Sequence, residues 1–346
     1  MRAVAKRSAL WTARAVGGFA LARRVTAGSL RILGYHGFAL ADEHRFWPTM
    51  FMPREVFRKR LEYLHRARIP VLPLAEALQQ LDAGTLPPQA TAITIDDGFY
   101  SVARIAAEEL ARFEFPATVY LTTYYVRHQV PIFRLAVQYL FWKSPRTTVD
   151  LSGLDLDVRQ VARREGRFPE DVVWHIIRRG EALRSESERV ELGRHLACLL
   201  AVDYDALAAS RILSLAAPDE VYRMRSHGID FQLHTHRHRL PESAEAVSRE
   251  IGDNRAALAA LDVSQAEHLA YPSGIWSPVH WPALAAVGVK SATTCEPGLN
   301  DRHTPRLALR RFLDQPDMPQ VVFEGLLSGL LEIRRHATRT PAEVPA

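Results

Sequence analysis

Two adjacent carboxylates, Asp96 and Asp97, precede Gly98 at the end of the apolar run Ala92–Ile95. Neighbouring carboxylates on a sharp turn point different ways and can take different work, one ligating a metal while the other accepts a proton from a water. The same tripeptide also serves as ordinary turn chemistry. A second cluster, Gln232-Leu233-His234-Thr235-His236-Arg237-His238, places three imidazoles within five residues after another apolar run. Neutral imidazole is the commonest nitrogen ligand of Zn2+ and related divalent ions. If the chain turns helically after His234, then His234 and His238 lie one turn apart and can share an ion; an exposed His-rich loop has the same composition. Two histidines and one carboxylate leave positions open for water and substrate, which is a hydrolytic arrangement. A metal in such a site brings the pKa of a bound water from ~15.7 towards ~7. The third segment is Leu269-Ala270-Tyr271-Pro272-Ser273-Gly274. Pro272 and Gly274 fix a loop whose Tyr271 ring and amides can line a groove, or that simply turns a strand into a helix.

Each of these segments follows an apolar run, and in parallel α/β folds the strand ends are where sites assemble. The pattern supports that fold class. Strand-like runs at Ile32–Tyr35, Ala92–Ile95 and Ala117–Leu121 alternate with helical spacing over Pro53–Arg68, Leu74–Leu81 and Ser101–Phe113. The alternation resumes with a strand at Ile229–Leu233, a helix at Ala244–Leu261, a strand at His268–Ala270, a helix at Val279–Val287, and strands at Lys290–Thr294 and Leu307–Phe312. In between, residues 124–225 carry helical patterns and little strand, a helical insertion that reads as a lid over a barrel mouth or as a partner surface. The organisation expected is a basic leader over 1–30, a barrel over 31–320, and a C-terminal helix with a loose tail over 321–346.

Composition locates the charge. The chain of 346 residues has a formal net charge of +5, but residues 1–31 hold seven basic residues and no acid. Without them 37 basic residues face 39 acidic ones, so the body is near neutral and a broad nucleic-acid-binding surface is not indicated. The leader's longest uncharged run, Ala15–Ala22, is marginal for a secretory signal and far short of the ~20 residues of a membrane span. An amphipathic basic helix fits better, packed on its own domain or in peripheral contact with an anionic membrane. This points to a cytoplasmic protein, with peripheral membrane association through the leader as the open alternative. Cys198 and Cys295 make no disulfide framework and fit a reducing compartment.

Taken in order, the three segments resemble the motifs of the polysaccharide deacetylases, the NodB-homology group also called carbohydrate esterase family four. Thr94-Ile95-Asp96-Asp97-Gly98 is similar to the family's Thr-Phe-Asp-Asp-Gly, His234-Thr-His-Arg-His238 to its His-Ser/Thr-x-x-His, and Ala270-Tyr-Pro-Ser-Gly274 to its Arg-x-Pro-x-Gly. The similarity extends upstream through Ile32-Leu-Gly-Tyr-His36-Gly and downstream through Thr293-Thr-Cys-Glu-Pro-Gly298. The resemblance implies a distorted (β/α) barrel and metal-dependent removal of N- or O-acetyl groups from an acetylated carbohydrate. It also implies Asp96 as general base, a divalent metal such as Zn2+ on Asp97, His234 and His238, and His236 outside the ligand set. The Tyr271 backbone N–H is implied as an oxyanion donor, with Pro272 and Gly274 shaping the substrate loop.

The pattern departs from the family twice. Ala270 stands where the family usually has an Arg that orients the base, and Arg310 or Arg311 is the expected substitute. No late Leu-x-His motif supplies the acid that protonates the leaving amine, which leaves His36, His303 and His336 as candidates. Two other readings remain open: a carbohydrate-binding protein on a degenerate deacetylase site, and an amidohydrolase barrel using His234-x-His236. The substrate can be a polymer, an oligosaccharide or a lipid-linked sugar.

Overall fold

Strands covered on both faces read as continuous apolar runs, and the main sheet of this protein is written that way. The computed structural model describes residues 2–154 and 159–333. Its seven-stranded sheet comprises β1 (Arg31–Tyr35), β2 (Thr91–Asp97), β3 (Ala117–Leu121), β4 (Ile229–Leu233), β5 (His268–Ala270), β6 (Ser291–Thr293) and β7 (Phe312–Leu313). They lie in the order β6-β5-β4-β3-β2-β1-β7, and every pairing is parallel. From β1 to β6 each strand sits beside its sequence neighbour, the progression of a (β/α) barrel. Curling brings the end back to the start: Phe312 and Leu313 pair with Leu33 and Gly34, while Leu309 just upstream bridges to Thr293 of β6. The barrel is distorted between β4 and β5, which share the single register pair Leu233–Leu269.

Strand periodicity sorts the core into two groups. Ile32, Ala92, Tyr120, Ala270 and Leu309 pack with Leu74, Leu78 and Leu81 of the helix Leu74–Ala83. Their neighbours Leu33, Ile93, Val119, Phe231 and Leu269 pack with residues of the flanking helices, among them Leu61, Ile105, Met224 and Ile251. Between β3 and β4 the described chain carries six helices, from Tyr124–His128 to Pro218–Ser226, and a small antiparallel ribbon, Thr148–Asp150 with Gln160–Ala162. That ribbon has too few residues to show as an alternating pattern. The first turns after β2 also differ from the α-helix expected over Ser101–Phe113: Val102–Ala106 is π-helical and Ala107–Arg112 α-helical.

The leader forms two helices, Arg2–Ala15 and Gly18–Val25, which lie against the C-terminal helix Gln320–Ser328. Leu10, Phe19 and Val321 form the contact, and Arg14 pairs with Glu324 at 2.8 Å. Arg31, fully buried, donates to the Leu327 carbonyl at 3.0 Å and to that of Thr26 at 2.9 Å, pinning the leader's end to the barrel. Trp11, Val16, Leu21 and Val25 remain exposed. Among the described residues no helix is long and apolar enough to cross a membrane. The tail containing His336 lies outside the described residues.

β2 runs two residues beyond its apolar run, so Asp96 and Asp97 close the strand instead of sitting in a turn beyond it. The turn comes from the backbone: Asp97 has φ 65° and Gly98 φ 82°, both left-handed. A Cβ on Gly98 would come within 2.2 Å of Leu121 Cδ1 on β3. Gly98→Ala thus combines an unfavourable φ with a steric clash, and it should lower the unfolding free energy by about 2 kcal/mol. Urea denaturation checks this; an unchanged midpoint would contradict the assignment.

Candidate active site

Because the sheet is parallel, the residues that end its strands gather at one mouth of the barrel. A cavity of about 620 Å³ lies there, lined by His36, Asp96, Asp97, His234, His238, Tyr271, Ser273, Gly274 and Cys295. The segment between β3 and β4 supplies much of the remaining wall, including Tyr124, Arg134, Trp174 and Arg189.

Alternation along β2 sends its two carboxylates to different partners. Asp97 Oδ1 is 3.3 Å from His234 Nε2 and 3.2 Å from His238 Nε2, and the three ligating atoms lie within 4.8 Å of one another. Among the described residues this is the one cluster able to hold a metal ion. Its donor set, one carboxylate oxygen and two imidazole nitrogens, fits a Zn2+-like cation and leaves coordination positions open. His234 is prepared for that role. Its Nδ1 is 2.9 Å from the Ala270 carbonyl, an acceptor only, so Nδ1 carries the proton and Nε2 offers its lone pair to the cluster. Burial alone would raise the Asp97 carboxyl, but His238 and His234 outweigh it and hold Asp97 well below the usual carboxylate range. Burial likewise disfavours the charged form of His234, yet the bond to Asp97 and the charge of Asp96 raise it overall.

The helical turn expected after His234 is not formed. The strand ends at Leu233, and residues 234–238 follow an irregular, non-helical path in which Thr235 (φ 61°) and His238 (φ 55°) are left-handed. Two reversals over four residues bring the His238 ring back onto His234, centroids 4.9 Å apart, and a helix is not needed. His236 points elsewhere, its Nδ1 2.8 Å from Thr123 Oγ1.

Asp96 faces Arg311. The guanidinium donates from Nη1 to Oδ1 at 2.6 Å and from Nη2 to Oδ2 at 2.8 Å, a bidentate pair with both side chains buried. Burial pushes the Asp96 carboxyl up, and the Arg311 charge and hydrogen bonds bring it below its ordinary value, so it is ionised at neutral pH. Arg311 thus occupies the place at the carboxylate that Ala270 leaves without a side chain. Arg310 does not: it points to a different cavity and lies 3.8 Å from Glu332. His36, at the end of β1, reaches the main cavity with Nε2 3.7 Å from Asp96 Oδ2, whereas His303 lines the second cavity with Arg310.

One expectation fails. The Tyr271 N–H donates to the Thr293 carbonyl at 3.1 Å, because β5 continues pairing with β6 for one more residue. It is committed to the sheet and is no oxyanion donor. The Tyr271 side chain lines the cavity instead, its hydroxyl donating to Leu307 O at 2.9 Å. Pro272 opens a short 3-10 turn, and Gly274 (φ 67°) passes so close to Cys295 that a Cβ would meet its sulfur at 2.7 Å. Sequence reasoning missed Asn254, a fully buried residue of the helix Ala244–Ala259. It accepts from the His234 N–H at 3.1 Å and donates to Leu121 O and Thr123 Oγ1, tying the ends of β3 and β4 beneath the cluster. A lone Asn in a helix carries no motif. Arg134, 3.4 Å from His238 Nδ1, was equally silent.

The family model for polysaccharide deacetylase matches residues 83–292, and the chain belongs to that family. It is accordingly a hydrolase acting on carbon–nitrogen bonds other than peptide bonds. No curated protein matches it in sequence. Solved structures share the fold. The deacetylase PplD of Streptococcus pyogenes, solved with acetate, aligns over 89% of this chain and 98% of its own at 16% identity, TM-score 0.56. IcaB from Ammonifex degensii aligns over 87% and 97% at 17% identity, TM-score 0.53. A polysaccharide deacetylase from Bacillus cereus aligns over 86% and 69% at 13% identity, TM-score 0.53.

Removing one of three ligands should weaken divalent-metal binding by at least about tenfold. Calorimetric titration of Zn2+ into chelator-treated protein should therefore show a tight site that His238→Ala weakens and His236→Ala does not. Equal affinities in wild type and His238→Ala would remove His238 from the ligand set.

Proposed function

We propose that the protein removes acetyl groups, N-acetyl first of all, from a carbohydrate, with Asp97, His234 and His238 holding a divalent metal and Asp96 acting as general base. The observation that carries this reading is the division of labour on β2: Asp97 meets two imidazoles while Asp96, one residue earlier, meets a guanidinium. A cation bound there would supply a Lewis acid for the acetyl carbonyl and lower the pKa of a water so that it can give up a proton near neutral pH as it attacks. Asp96 accepts the proton of the attacking water, and Arg311 keeps its carboxylate ionised and aimed into the cavity. His36, in the cavity and 3.7 Å from the same carboxylate, donates a proton to the departing amine. Tyr271 and the turn Pro272–Gly274 form the wall against which the acetyl-bearing sugar rests. The catalytic unit is the barrel over 31–320, with the 124–225 segment as part of its binding wall. The intact carboxylate pair and His pair favour this reading over a binding protein on a degenerate site.

Acetate release from acetylated glycans by purified protein tests it. Asp96→Asn should cut kcat by at least about a hundredfold while leaving metal content unchanged. Full activity in Asp96→Asn, or no acetate from any glycan despite bound metal, contradicts the proposal.

Arg311 makes a separate prediction with a definite sign. Arg311→Met removes the charge that lowers Asp96 and leaves the burial that raises it, so the acid limb of the pH–rate profile should move to higher pH. An acid limb at the wild-type position would show that Asp96 is not the titrating base.

A further inference from the structure

The leader meets the barrel with one side only. In its second helix, Gly18–Val25, Phe19 and Ala22 are three residues apart, share a face and are buried. By the same spacing Leu21, Arg24 and Val25 share another face, and all three are exposed, Leu21 to 64% and Val25 to 67%. The first helix repeats the division. Leu10 is buried, while Arg7, Trp11 and Arg14 follow one another at four and three residues and are exposed. Val16, 77% exposed, sits in the turn between the helices. Both helices rest on the same C-terminal helix, Gln320–Ser328. The described residues include six large apolar side chains that are more than half exposed, and four of them are Trp11, Val16, Leu21 and Val25. The other two, Ile275 and Val279, stand either side of Trp276, which lines one cavity with Val25, so that turn and the leader's end are neighbours.

We propose that the outward face of the two leader helices docks on an anionic lipid bilayer, with Trp11, Val16, Leu21 and Val25 entering the boundary between headgroups and acyl chains and Arg7 and Arg24 meeting the headgroup phosphates. The proposal stands apart from the deacetylase reading, because none of these residues lines the catalytic cavity. Charge and apolarity together choose the occupant. Residues 1–31 carry seven basic residues and no acid, so this face attracts an anionic layer. Arg14 is engaged with Glu324, which leaves Arg7 and Arg24 as the exposed cations nearest the apolar side chains. A nucleic acid would meet the guanidinium groups and leave four apolar side chains in water. A second copy bound through the same face would set each set of arginines against its own kind, and the cores of protein interfaces are poor in charge. A bilayer serves both kinds of group at once, and an indole is suited to its interface. Four apolar side chains make a shallow anchor and no span, in keeping with helices too short to cross a membrane among the described residues. Leu10, Phe19 and the buried Arg31 fix the leader to the barrel, so docking would hold the whole body at the surface.

Sedimentation with sucrose-loaded vesicles tests this, using phosphatidylcholine alone and phosphatidylcholine mixed with phosphatidylglycerol at about 7:3. Wild type should bind the anionic vesicles at least about tenfold more tightly than the neutral ones, and added salt should shrink the difference. Leu21→Ser with Val25→Ser removes apolar area and no charge, whereas Arg7→Gln with Arg24→Gln removes charge and keeps the apolar side chains. Each pair should weaken binding to the anionic vesicles at least about tenfold. Both should melt as wild type does in the absence of vesicles, since all four side chains are exposed. Should the serine pair melt early, Trp11→Ser gives the same reading from the first helix. Equal binding to neutral and anionic vesicles, no binding to either, or full binding in either double variant overturns the proposal. A wild-type dimer that the serine pair dissociates, with no vesicle binding, overturns it in favour of a second copy on this face.

Discussion

The bidentate pair between Asp96 and Arg311 is the interaction on which the rest of this structure depends. Both side chains are buried, and neither is tolerable there alone. The guanidinium also donates from Nε to the Thr294 carbonyl at 2.9 Å, so one side chain ties the end of β2 to the end of β6 from the start of β7. β6 and β7 are the two edges of the sheet, which must approach each other for it to curl. Leaving either partner uncompensated costs about 3–5 kcal/mol in comparable buried pairs. The pair also couples fold and chemistry through pH. Asp96 titrates below its ordinary value in the folded protein, so its contribution to stability is complete above the ordinary carboxylate pKa and is lost as pH falls through the lowered one.

From that anchor, strand alternation does the remaining division. Asp96 and Asp97 are chemically identical, and their environments separate them: a permanent cation for the first, two titratable imidazoles for the second. The backbone carbonyl of Ala270 fixes the His234 tautomer, so the position that lacks a family side chain still acts through its main chain. Asn254 holds the strand ends beneath the cluster, where a strand-end carboxylate has to meet two imidazoles from the loop after β4.

Much of this was legible before any coordinates. Parallel strands buried on both faces announce themselves as apolar runs, and Ala117–Leu121, Ile229–Leu233 and His268–Ala270 were read residue for residue. The candidate site's residue types were legible too, as a carboxylate pair and a histidine cluster each at the end of an apolar run, although either motif alone has other uses. What stayed hidden was set by tertiary geometry. Arg310 and Arg311 are equivalent in sequence, and the register at which β7 closes the barrel sends one to Asp96 and the other to the second cavity. The left-handed residues Thr235 and His238 are not types that announce a positive φ, so nothing local foretells the bend that brings the two imidazoles together without a helical turn. The Tyr271 N–H looked free because nothing local shows that pairing with β6 continues past Ala270.

In the mechanism proposed, a single cation held by Asp97, His234 and His238 works with the Asp96 carboxylate that Arg311 maintains. Titrating Zn2+ into metal-free protein while following acetate release from an acetylated glycan tests this most directly. Activity should be absent at the start, rise in proportion to added metal and level off at one equivalent per chain. Full activity without metal, or a saturated site with no acetate released, would contradict it.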